Sequence, residues 1–337
     1  MSVGIIGCGS FSHLAHIPNL ASSSRAEVIA ISDPRDARRA SALPYFPSAS
    51  AYSDAQDVIS NPDLEAVVIA VPPSAAADLA IAAFEAGKHV LLEKPGAVTV
   101  AEAKAICSAW MRSGKMGAIG YNFRRHRAVS DAKRRILAGQ IGEIISIMGL
   151  FTWSGGGVGG WRADPKSGGA LLDLASHHVD LARWLVGREC ETAQTDTRSV
   201  QTPQDTADVL LGFAGGANAM LHVSSAGGRN ANRIYVLGQT GHIEVDLTQP
   251  EACRVYRGEP PRSRLARLKH KFAGFDPRAL LASGKEPSFA LLLEDFLQAC
   301  ATGSPITPDF DDALAVLSAL EMGRDASRHA RRSRANG

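Results

Sequence analysis

Hydrophobic residues in the first third of the chain fall into short β-branched runs that are separated by longer stretches with helical spacing. The runs predicted as strands cover residues 3–6, 28–32, 66–71, 89–92 and 117–121. Alanine, leucine and isoleucine recur at helical spacing between them. Strands that alternate with helices are typical of βαβ units on a parallel sheet. The pattern therefore predicts a doubly wound α/β domain over residues 1–122.

The pattern of the remaining chain, residues 123–337, is different. A strand pattern at 143–152 precedes a Gly-rich stretch and a predicted helix at 171–186, and further predicted strands then follow one another across Gly-containing turns. Such close succession indicates antiparallel pairing. Alternation of apolar and polar residues predicts one covered and one open face. We expect a second, α+β domain with a large, mainly antiparallel open sheet that binds substrate and a second subunit.

Composition narrows the classes of protein that fit. The 337 residues are 45% hydrophobic and 21% charged, and a net charge of +2 creates no general field for nucleic acid or membrane. No apolar run reaches the roughly 18 residues of a membrane span. The five cysteines form no CxxC pair, which favours reduced thiols over disulfides or a metal site. We expect a soluble cytoplasmic protein without bound metal, and a basic stretch at 254–278 that is a solvated surface rather than a nucleic-acid site.

A glycine motif follows the first predicted strand. Gly7 permits a tight turn there, and Gly9 lets the backbone approach a pyrophosphate at the start of the next helix. Ser12 stands where such motifs often have a third glycine. Asp33 follows the second predicted strand, at the distance of about 20 residues expected for the acid that binds adenosine ribose. These residues predict a dinucleotide site, with Asp33 as a simple helix cap as the alternative.

The type of dinucleotide depends on the charges around Asp33. Its carboxylate repels a 2′-phosphate, which favours NAD over NADP. Arg35, Arg38 and Arg39 lie close in sequence and offer compensating positive charge, so NADP stays open.

The segment Glu93-Lys94-Pro95 directly follows the strand predicted at 89–92. Ligands of open parallel sheets bind at the carboxyl ends of the strands, so this position predicts a catalytic lysine. An ammonium group there stabilises negative charge that develops on a substrate oxygen. The alternative is an exposed surface charge.

A second group of polar residues lies on the helix predicted at 171–186. At about 100° per residue, Asp173, Ser176, His177 and Asp180 share one face, whereas His178 points elsewhere. His177 titrates in the range suited to accepting the proton of an alcohol, and Asp173 is one turn away to orient it. The alternative is a solvated polar face.

At this point the chain resembles the Gfo/Idh/MocA family of oxidoreductases over nearly its whole length. The resemblance rests on Gly7-Cys8-Gly9 with the following His16 and Pro18, and on the segments 86–95, 120–124 and 168–187. It implies a Rossmann domain, then an α/β domain whose open sheet mediates a homodimer or homotetramer. Lys94, Asp173 and His177 are the catalytic residues that it implies.

The resemblance also implies two sets of binding residues. The cofactor set is Gly7, Gly9, Ser10, Phe11, Ser12, Asp33, Arg38, Pro72, Glu93 and Lys94. The substrate set is Tyr121, Asn122, Arg124, Trp153, Trp161, Arg162, Asp173 and His177.

The function expected is an NAD(P)-dependent oxidoreductase that transfers a hydride between nicotinamide and a secondary alcohol or ketone of a sugar, cyclitol or related polyol. The ammonium of Lys94 and the imidazole of His177 are expected to serve one substrate carbon. The first alternative is an enzyme that reduces and reoxidises bound NAD while it modifies a sugar. The second is a sugar-sensing regulator that has lost the chemistry.

Overall fold

The short apolar runs of the first third form the strands of one parallel sheet. In the computed structural model, which describes residues 1–154, 164, 167–249, 252–258 and 287–335, the chain divides into two units. Unit 1 comprises Met1–Asn122 and Ser288–Ser318, and unit 2 comprises Phe123–Pro287 and Ala319–Gly337.

The sheet of unit 1 has six strands, and every pair of neighbours is parallel. The strands are β1 (Ser2–Ile6), β2 (Glu27–Ser32), β3 (Ser50–Tyr52), β4 (Ala66–Ile69), β5 (His89–Leu92) and β6 (Gly117–Ile119). Their order, β3-β2-β1-β4-β5-β6, is that of dinucleotide-binding sheets. The predicted doubly wound fold is confirmed. Strand β3 was not predicted because its three residues contain no apolar run.

Six helices connect the strands in this part of the chain. They are α1 (Ser10–Leu14), α2 (His16–Ser22), α3 (Asp36–Ala42), α4 (Ala55–Ile59), α5 (Pro73–Glu85) and α6 (Val100–Ser113). The sequence sets the limits of α6 clearly. Thr99 and Glu102 form a reciprocal capping box at its start, and Gly114, with φ of +63°, ends it.

The sheet of unit 2 has seven strands in the order β13-β12-β11-β7-β10-β9-β8. The strands are β7 (Ile144–Thr152), β8 (Cys190–Arg198), β9 (Thr206–Phe213), β10 (Asn218–Ser224), β11 (Ala231–Gly238), β12 (Gly241–Asp246) and β13 (Ala252–Arg257). Only β7 and β10 pair in parallel, so the expected mainly antiparallel sheet is confirmed. The polar sequence of β8 gave no strand signal.

One face of this sheet is covered and the other is open, as alternation predicted. Helix α7 (Arg127–Leu137) packs on β12 and β13. A π-helical turn at Leu171–Ala175 runs into α8 (Ser176–Val186), and together they pack on β7, β9 and β10.

The chain closes with α9 (Ser288–Thr302) and α10 (Phe310–Ala335). Residues 288–318 belong to unit 1, although the second domain was expected to extend from 123 to 337. The reason is apolar burial, because Leu292, Leu293 and Phe296 of α9 join the core around β1 and α2. Within the described residues, no helix combines the length and apolar character that a bilayer crossing requires.

Candidate active site

The parallel strands of unit 1 bring the predicted cofactor residues to one edge of the sheet. Gly7 follows β1, Asp33 follows β2, Glu93 and Lys94 follow β5, and Gly120 follows β6. Backbone hydrogen bonds hold these strand ends side by side, with Gly7 N–H donating to the Ser32 carbonyl at 2.8 Å. The N–H of Gly120 donates to the Leu92 carbonyl at 2.8 Å. Residues that are far apart in the sequence therefore share one edge.

The turn after β1 requires glycine at its first position. Gly7 has φ of +95°, and a Cβ there would lie 2.4 Å from the carbonyl oxygen of Ala70. Gly9 then caps α1 in an extended conformation. The hydroxyl of Ser12 is buried and donates to the Gly7 carbonyl at 2.5 Å, so the serine in the third position stabilises the turn itself.

Three further residues of the predicted cofactor set lie around this edge. Ser10 is exposed at the first position of α1, and Phe11 beside it is partly buried. Pro72 is exposed and precedes the first residue of α5. Both helices begin at this edge, and unpaired backbone N–H groups in the first turn of a helix can bind an anion.

Asp33 is buried, at 3% exposure, and each of its carboxylate oxygens accepts a backbone N–H. The N–H of Arg35 donates to Oδ1 at 3.0 Å, which is the local contact expected of a cap. The N–H of Cys8 donates to Oδ2, also at 3.0 Å. Asp33 therefore also holds the glycine turn, which a simple cap would not do.

Arg38 brings a positive charge to the same place. Its Nη1 lies 3.4 Å from Asp33 Oδ2, and it would lie 3.5 Å from a Cβ at Gly9. The side chain of Arg38 is 41% exposed, so its guanidinium is accessible to a ligand.

The residues of this edge fit a bound dinucleotide. Gly7 makes the tight turn, the partly exposed Gly9 has no side chain to block a ligand at the start of α1, and the Asp33 carboxylate is hydrogen-bonded to the same turn.

Lys94 begins the turn that leaves β5. It is partly buried, and it is joined to Pro95 by a cis peptide bond. Its N–H donates to Glu93 Oε2 at 3.2 Å. The other oxygen of Glu93 lies 2.8 Å from Nε2 of His16. Gly120 leaves room for this carboxylate, because a Cβ there would lie 2.6 Å from Oε2.

In unit 2, the polar residues of the predicted helix face are all buried. Asp173 is on the π-helical turn, and Ser176, His177 and Asp180 follow on α8. The alternative of a solvated polar face is therefore wrong. The helix packs on the sheet of unit 2, and buried polar side chains on it need hydrogen-bond partners inside the protein.

The partner of Asp180 is Arg124. Arg124 Nε donates to Asp180 Oδ2 at 2.9 Å and Nη2 donates to Oδ1 at 2.5 Å. The guanidinium also lies 6.0 Å from the ring centroid of Trp184. Only 3% of Arg124 is exposed, so this arginine holds α8 in place instead of lying at a surface where substrate could reach it.

His177 is held by aromatic rings. Phe123 stacks on its imidazole, with ring centroids 4.3 Å apart and planes at 25°, and Phe151 lies 6.3 Å away. His177 and Asp173 keep 7% and 5% exposure, respectively.

His178 is a structural residue. Its Nε2 lies 2.8 Å from Asn232 Oδ1, and its ring stacks on Phe151. Burial lowers the pKa of His178 to about 4, against a smaller opposing effect of the Asn232 hydrogen bond, so it is neutral at pH 7. The sequence likewise excluded His178 from the shared polar face of the helix.

The other predicted substrate residues are placed differently from one another. Tyr121 and Asn122 are buried in unit 1, where Asn122 Nδ2 donates to the hydroxyl of Ser288 at 2.8 Å. Trp153 is partly buried at the end of β7, and its N–H donates to the Ser224 carbonyl. Trp161 and Arg162 lie outside the described residues, as does most of the basic stretch 254–278.

The cysteines are free thiols in this structure. Burial raises the pKa of Cys107 to about 11 and that of Cys8, Cys253 and Cys300 to about 12. Burial likewise raises the pKa of Cys190. These groups stay protonated at pH 7, so none of them supplies a thiolate nucleophile.

Two contacts at the site had no clear signal in the sequence. The stacking of Phe123 on His177 joins residues that only the fold brings together. His16 belongs to a recognisable segment, but its contact with Glu93 could not be predicted from spacing.

Comparison with known proteins identifies the family. Residues 1–121 match the model of an oxidoreductase family with an NAD-binding Rossmann fold, and residues 129–244 match the Gfo/Idh/MocA C-terminal domain. The chain belongs to the Gfo/Idh/MocA family of oxidoreductases. The predicted family is confirmed, and so are the prediction of an enzyme and that of an NAD-binding domain.

Individual relatives cover most of the chain. A levoglucosan dehydrogenase of Pseudarthrobacter phenanthrenivorans is 30% identical over 336 residues, which cover 86% of this chain and 84% of the relative. The scyllo-inositol 2-dehydrogenase (NAD(+)) of Bacillus subtilis is 28% identical over 91% of this chain and 88% of its own. A solved levoglucosan dehydrogenase in complex with NADH and L-sorbose has a TM-score of 0.83 and 27% identity, covering 97% of each chain.

Proposed function

We propose that this oxidoreductase is an NAD-dependent dehydrogenase that acts on a secondary alcohol of a sugar, a cyclitol or a related polyol, or on the corresponding ketone. The observation that carries the proposal is the shared sheet edge of unit 1, where Lys94 follows β5 and the Gly7 turn and Asp33 follow β1 and β2. The names of the relatives, which include levoglucosan and inositol dehydrogenases, support the substrate class.

In this mechanism NAD, when bound, supplies the nicotinamide C4 that exchanges hydride with the substrate carbon. Lys94 stabilises negative charge on the reacting oxygen through its ammonium group. His177 takes the hydroxyl proton in the oxidative direction and returns it in the reductive direction. Asp173 orients the imidazole or a substrate hydroxyl. The Phe123 ring stacked on His177 restrains rotation of the imidazole about its Cβ–Cγ bond.

We further propose that NAD is preferred over NADP. The buried Asp33 carboxylate offers an acceptor to ribose hydroxyls and repels a 2′-phosphate, whereas the accessible Arg38 weakens that repulsion. We therefore expect a moderate preference for NAD over NADP.

The proposed substrate contacts are Trp153, Trp161, Arg162, Asp173 and His177. Arg124 is removed from the predicted set because its guanidinium is committed to Asp180 and is buried. Tyr121 and Asn122 are fully buried, so we assign them to supporting the strand end at β6 rather than to direct contact.

We also propose that the protein is a homodimer or homotetramer that associates through the open face of the unit 2 sheet. Leu210, Met220 and Met148 lie in register on β9, β10 and β7, and each side chain is about half exposed. Tyr235 of β11 continues this row. Apolar rows of this kind on an open sheet favour burial against a second copy. Substitution of Met148 by lysine should reduce the mass measured by light scattering to that of a smaller assembly.

The five free cysteines are consistent with a reducing compartment, and we propose the cytoplasm as the location.

The function is tested by a substrate panel with purified protein. Levoglucosan, myo-inositol, scyllo-inositol, D-glucose and D-gluconate are each incubated with NAD or NADP, and NADH or NADPH is followed by absorbance. The expected result is net NADH formation with at least one ring polyol, and reversal with its ketone and NADH. Tightly retained NAD with no net NADH would favour the redox-cycling alternative. Absence of any NAD(H) or NADP(H) binding in a fluorescence titration would overturn the proposal.

A further inference from the structure

A buried contact between a histidine and a carboxylate adjoins the turn of Lys94. Nε2 of His16 is 2.8 Å from Oε1 of Glu93, and the two side chains are 6% and 9% exposed. Buried carboxylates are costly unless they are paired and hydrogen-bonded, so a pair of this kind needs a structural or functional reason.

The carboxylate of Glu93 is fixed on several sides. While Oε1 faces His16, Oε2 accepts the N–H of Lys94 at 3.2 Å. Gly120, after the neighbouring strand β6, leaves the space that the carboxylate occupies, because a Cβ there would lie 2.6 Å from Oε2. The Glu93 side chain therefore fixes the backbone N–H of Lys94 at the start of the turn.

The imidazole of His16 is also fixed from the cofactor side. Phe11, in the helix after the glycine turn, meets the His16 ring edge-on with centroids 5.9 Å apart. Phe11 in turn packs edge-on against Phe289 of α9 at 5.5 Å. A continuous set of contacts thus runs from the glycine turn, through Phe11 and His16, to Glu93 and Lys94.

We propose that His16 is a positioning residue for the catalytic lysine, acting through Glu93, and that it couples the cofactor turn to the Lys94 turn. The inference rests on the proposed function, in which Lys94 stabilises charge on the substrate oxygen. Without the His16 imidazole, the Glu93 carboxylate loses the contact that fixes its orientation, and the Lys94 peptide N–H loses its fixed acceptor. Displacements of about 1 Å in catalytic groups lower rates by up to about 10²-fold.

The test is a double-mutant cycle with His16→Ala and Lys94→Ala. The assay uses NAD and whichever of levoglucosan, myo-inositol and scyllo-inositol turns over fastest. In the wild-type background His16→Ala should lower kcat by about 10- to 100-fold and change the KM of the polyol by less than about 3-fold. In the Lys94→Ala background it should lower kcat by less than about 3-fold, because the group through which it acts is gone.

Two further variants separate positioning from folding. His16→Gln keeps an N–H donor toward Glu93 and should restore kcat to within about 5-fold of wild type. Gly120→Ala leaves His16 intact but occupies the space of the Glu93 carboxylate. Gly120 does not have a positive φ, so this change acts through the side chain alone. Gly120→Ala should lower kcat as much as His16→Ala does in the wild-type background. In the Lys94→Ala background it should have little effect on kcat.

His89→Gln is the matched control. His89 begins the same strand, β5, and its Nδ1 accepts the N–H of Met116 at the opposite end from Lys94. Its substitution should leave kcat within about 3-fold of wild type. Equal losses from His16→Ala in both Lys94 backgrounds, or from Gly120→Ala in both, would overturn the inference. Full activity of Lys94→Ala itself would instead refute the proposed function, so the two failures are distinguishable.

Discussion

The polar groups at the sheet edge of unit 1 and those on the buried helix of unit 2 are fixed by different kinds of hydrogen bond. At the edge, polar groups follow the ends of parallel strands and are held by backbone hydrogen bonds. Asp33, for example, accepts the N–H groups of Cys8 and Arg35. On the buried helix, side chains pair with side chains from distant segments. Arg124 and Asp180 are 56 residues apart, and His178 and Asn232 are 54 apart.

The difference also separates charges that can meet a ligand from charges that hold the fold. Arg38 is 41% exposed at the sheet edge, and Lys94, which follows another strand at the same edge, is partly buried. In unit 2 the Arg124–Asp180 pair is 3% and 1% exposed, so its charges neutralise one another inside the protein. Once that pair is set aside, Asp173, Ser176 and His177 remain on the helix face, and we propose that Asp173 and His177 act on substrate.

The largest expected effect lies at the sheet edge. Lys94→Ala should lower kcat by about 10³-fold, because the ammonium that stabilises charge on the substrate oxygen is lost. Lys104→Ala, on the exposed surface of α6, is the control and should leave kcat unchanged. Steady-state NADH absorbance measures both. A loss smaller than about 10-fold for Lys94→Ala would show that the edge carries no catalytic cation.

The next effect concerns stability in unit 2. Arg124→Met should lower the free energy of unfolding by about 3–5 kcal/mol, because it leaves the Asp180 carboxylate buried without its bidentate partner. Arg183→Met on the same helix α8 is the control, since its partner Glu189 is 71% exposed, and about 1 kcal/mol or less should be lost. Urea unfolding followed by circular dichroism compares them. Equal losses would mean that burial does not distinguish the two pairs.

A smaller effect is expected for cofactor choice. Asp33→Ala removes the carboxylate that repels a 2′-phosphate while Arg38 stays in place, so the ratio of kcat/KM for NAD over NADP should fall by about 10-fold. Because Asp33 also holds the Cys8 N–H, the affinity for both cofactors should fall somewhat. An unchanged ratio would assign Asp33 to the turn alone.

The last effect is an acid dependence of stability in unit 2. Burial lowers the pKa of His126 to about 4 from 6.5, with the Leu247 backbone acting weakly in the opposite direction. The unfolded chain therefore binds the proton more readily, so this stability is complete above pH 6.5 and is lost as the pH falls toward 4. His178 contributes in the same sense.

His126→Asn tests this dependence without removing the helix cap. His126 accepts the N–H of Ala128 at the start of α7, and asparagine is an equally good cap. The decline in unfolding free energy between pH 6.5 and 4 should become shallower in the variant. An identical decline would mean that His126 does not titrate on unfolding.

The sequence predicted unit 1 better than unit 2 for a physical reason. In a parallel sheet, a residue that follows a strand lies at a known edge, so Gly7, Asp33 and Lys94 could be placed from position alone. The Arg124–Asp180 pair could not, because the pairing depends on how a helix packs on a sheet built from later strands. The packing of α9 into the core of unit 1 could not be predicted either. Its apolar face shows that the helix is buried but does not show in which core.

The central claim is that this chain transfers hydride from the carbon of a ring polyol to nicotinamide. The most direct measurement uses the fastest substrate of the panel, deuterated on its ring carbons, with unlabelled NAD, and determines the mass of the product NADH. The account predicts NADH one mass unit heavier, formed in equal amount with ketone. NADH without deuterium, or ketone formed without reduced nicotinamide, would contradict it.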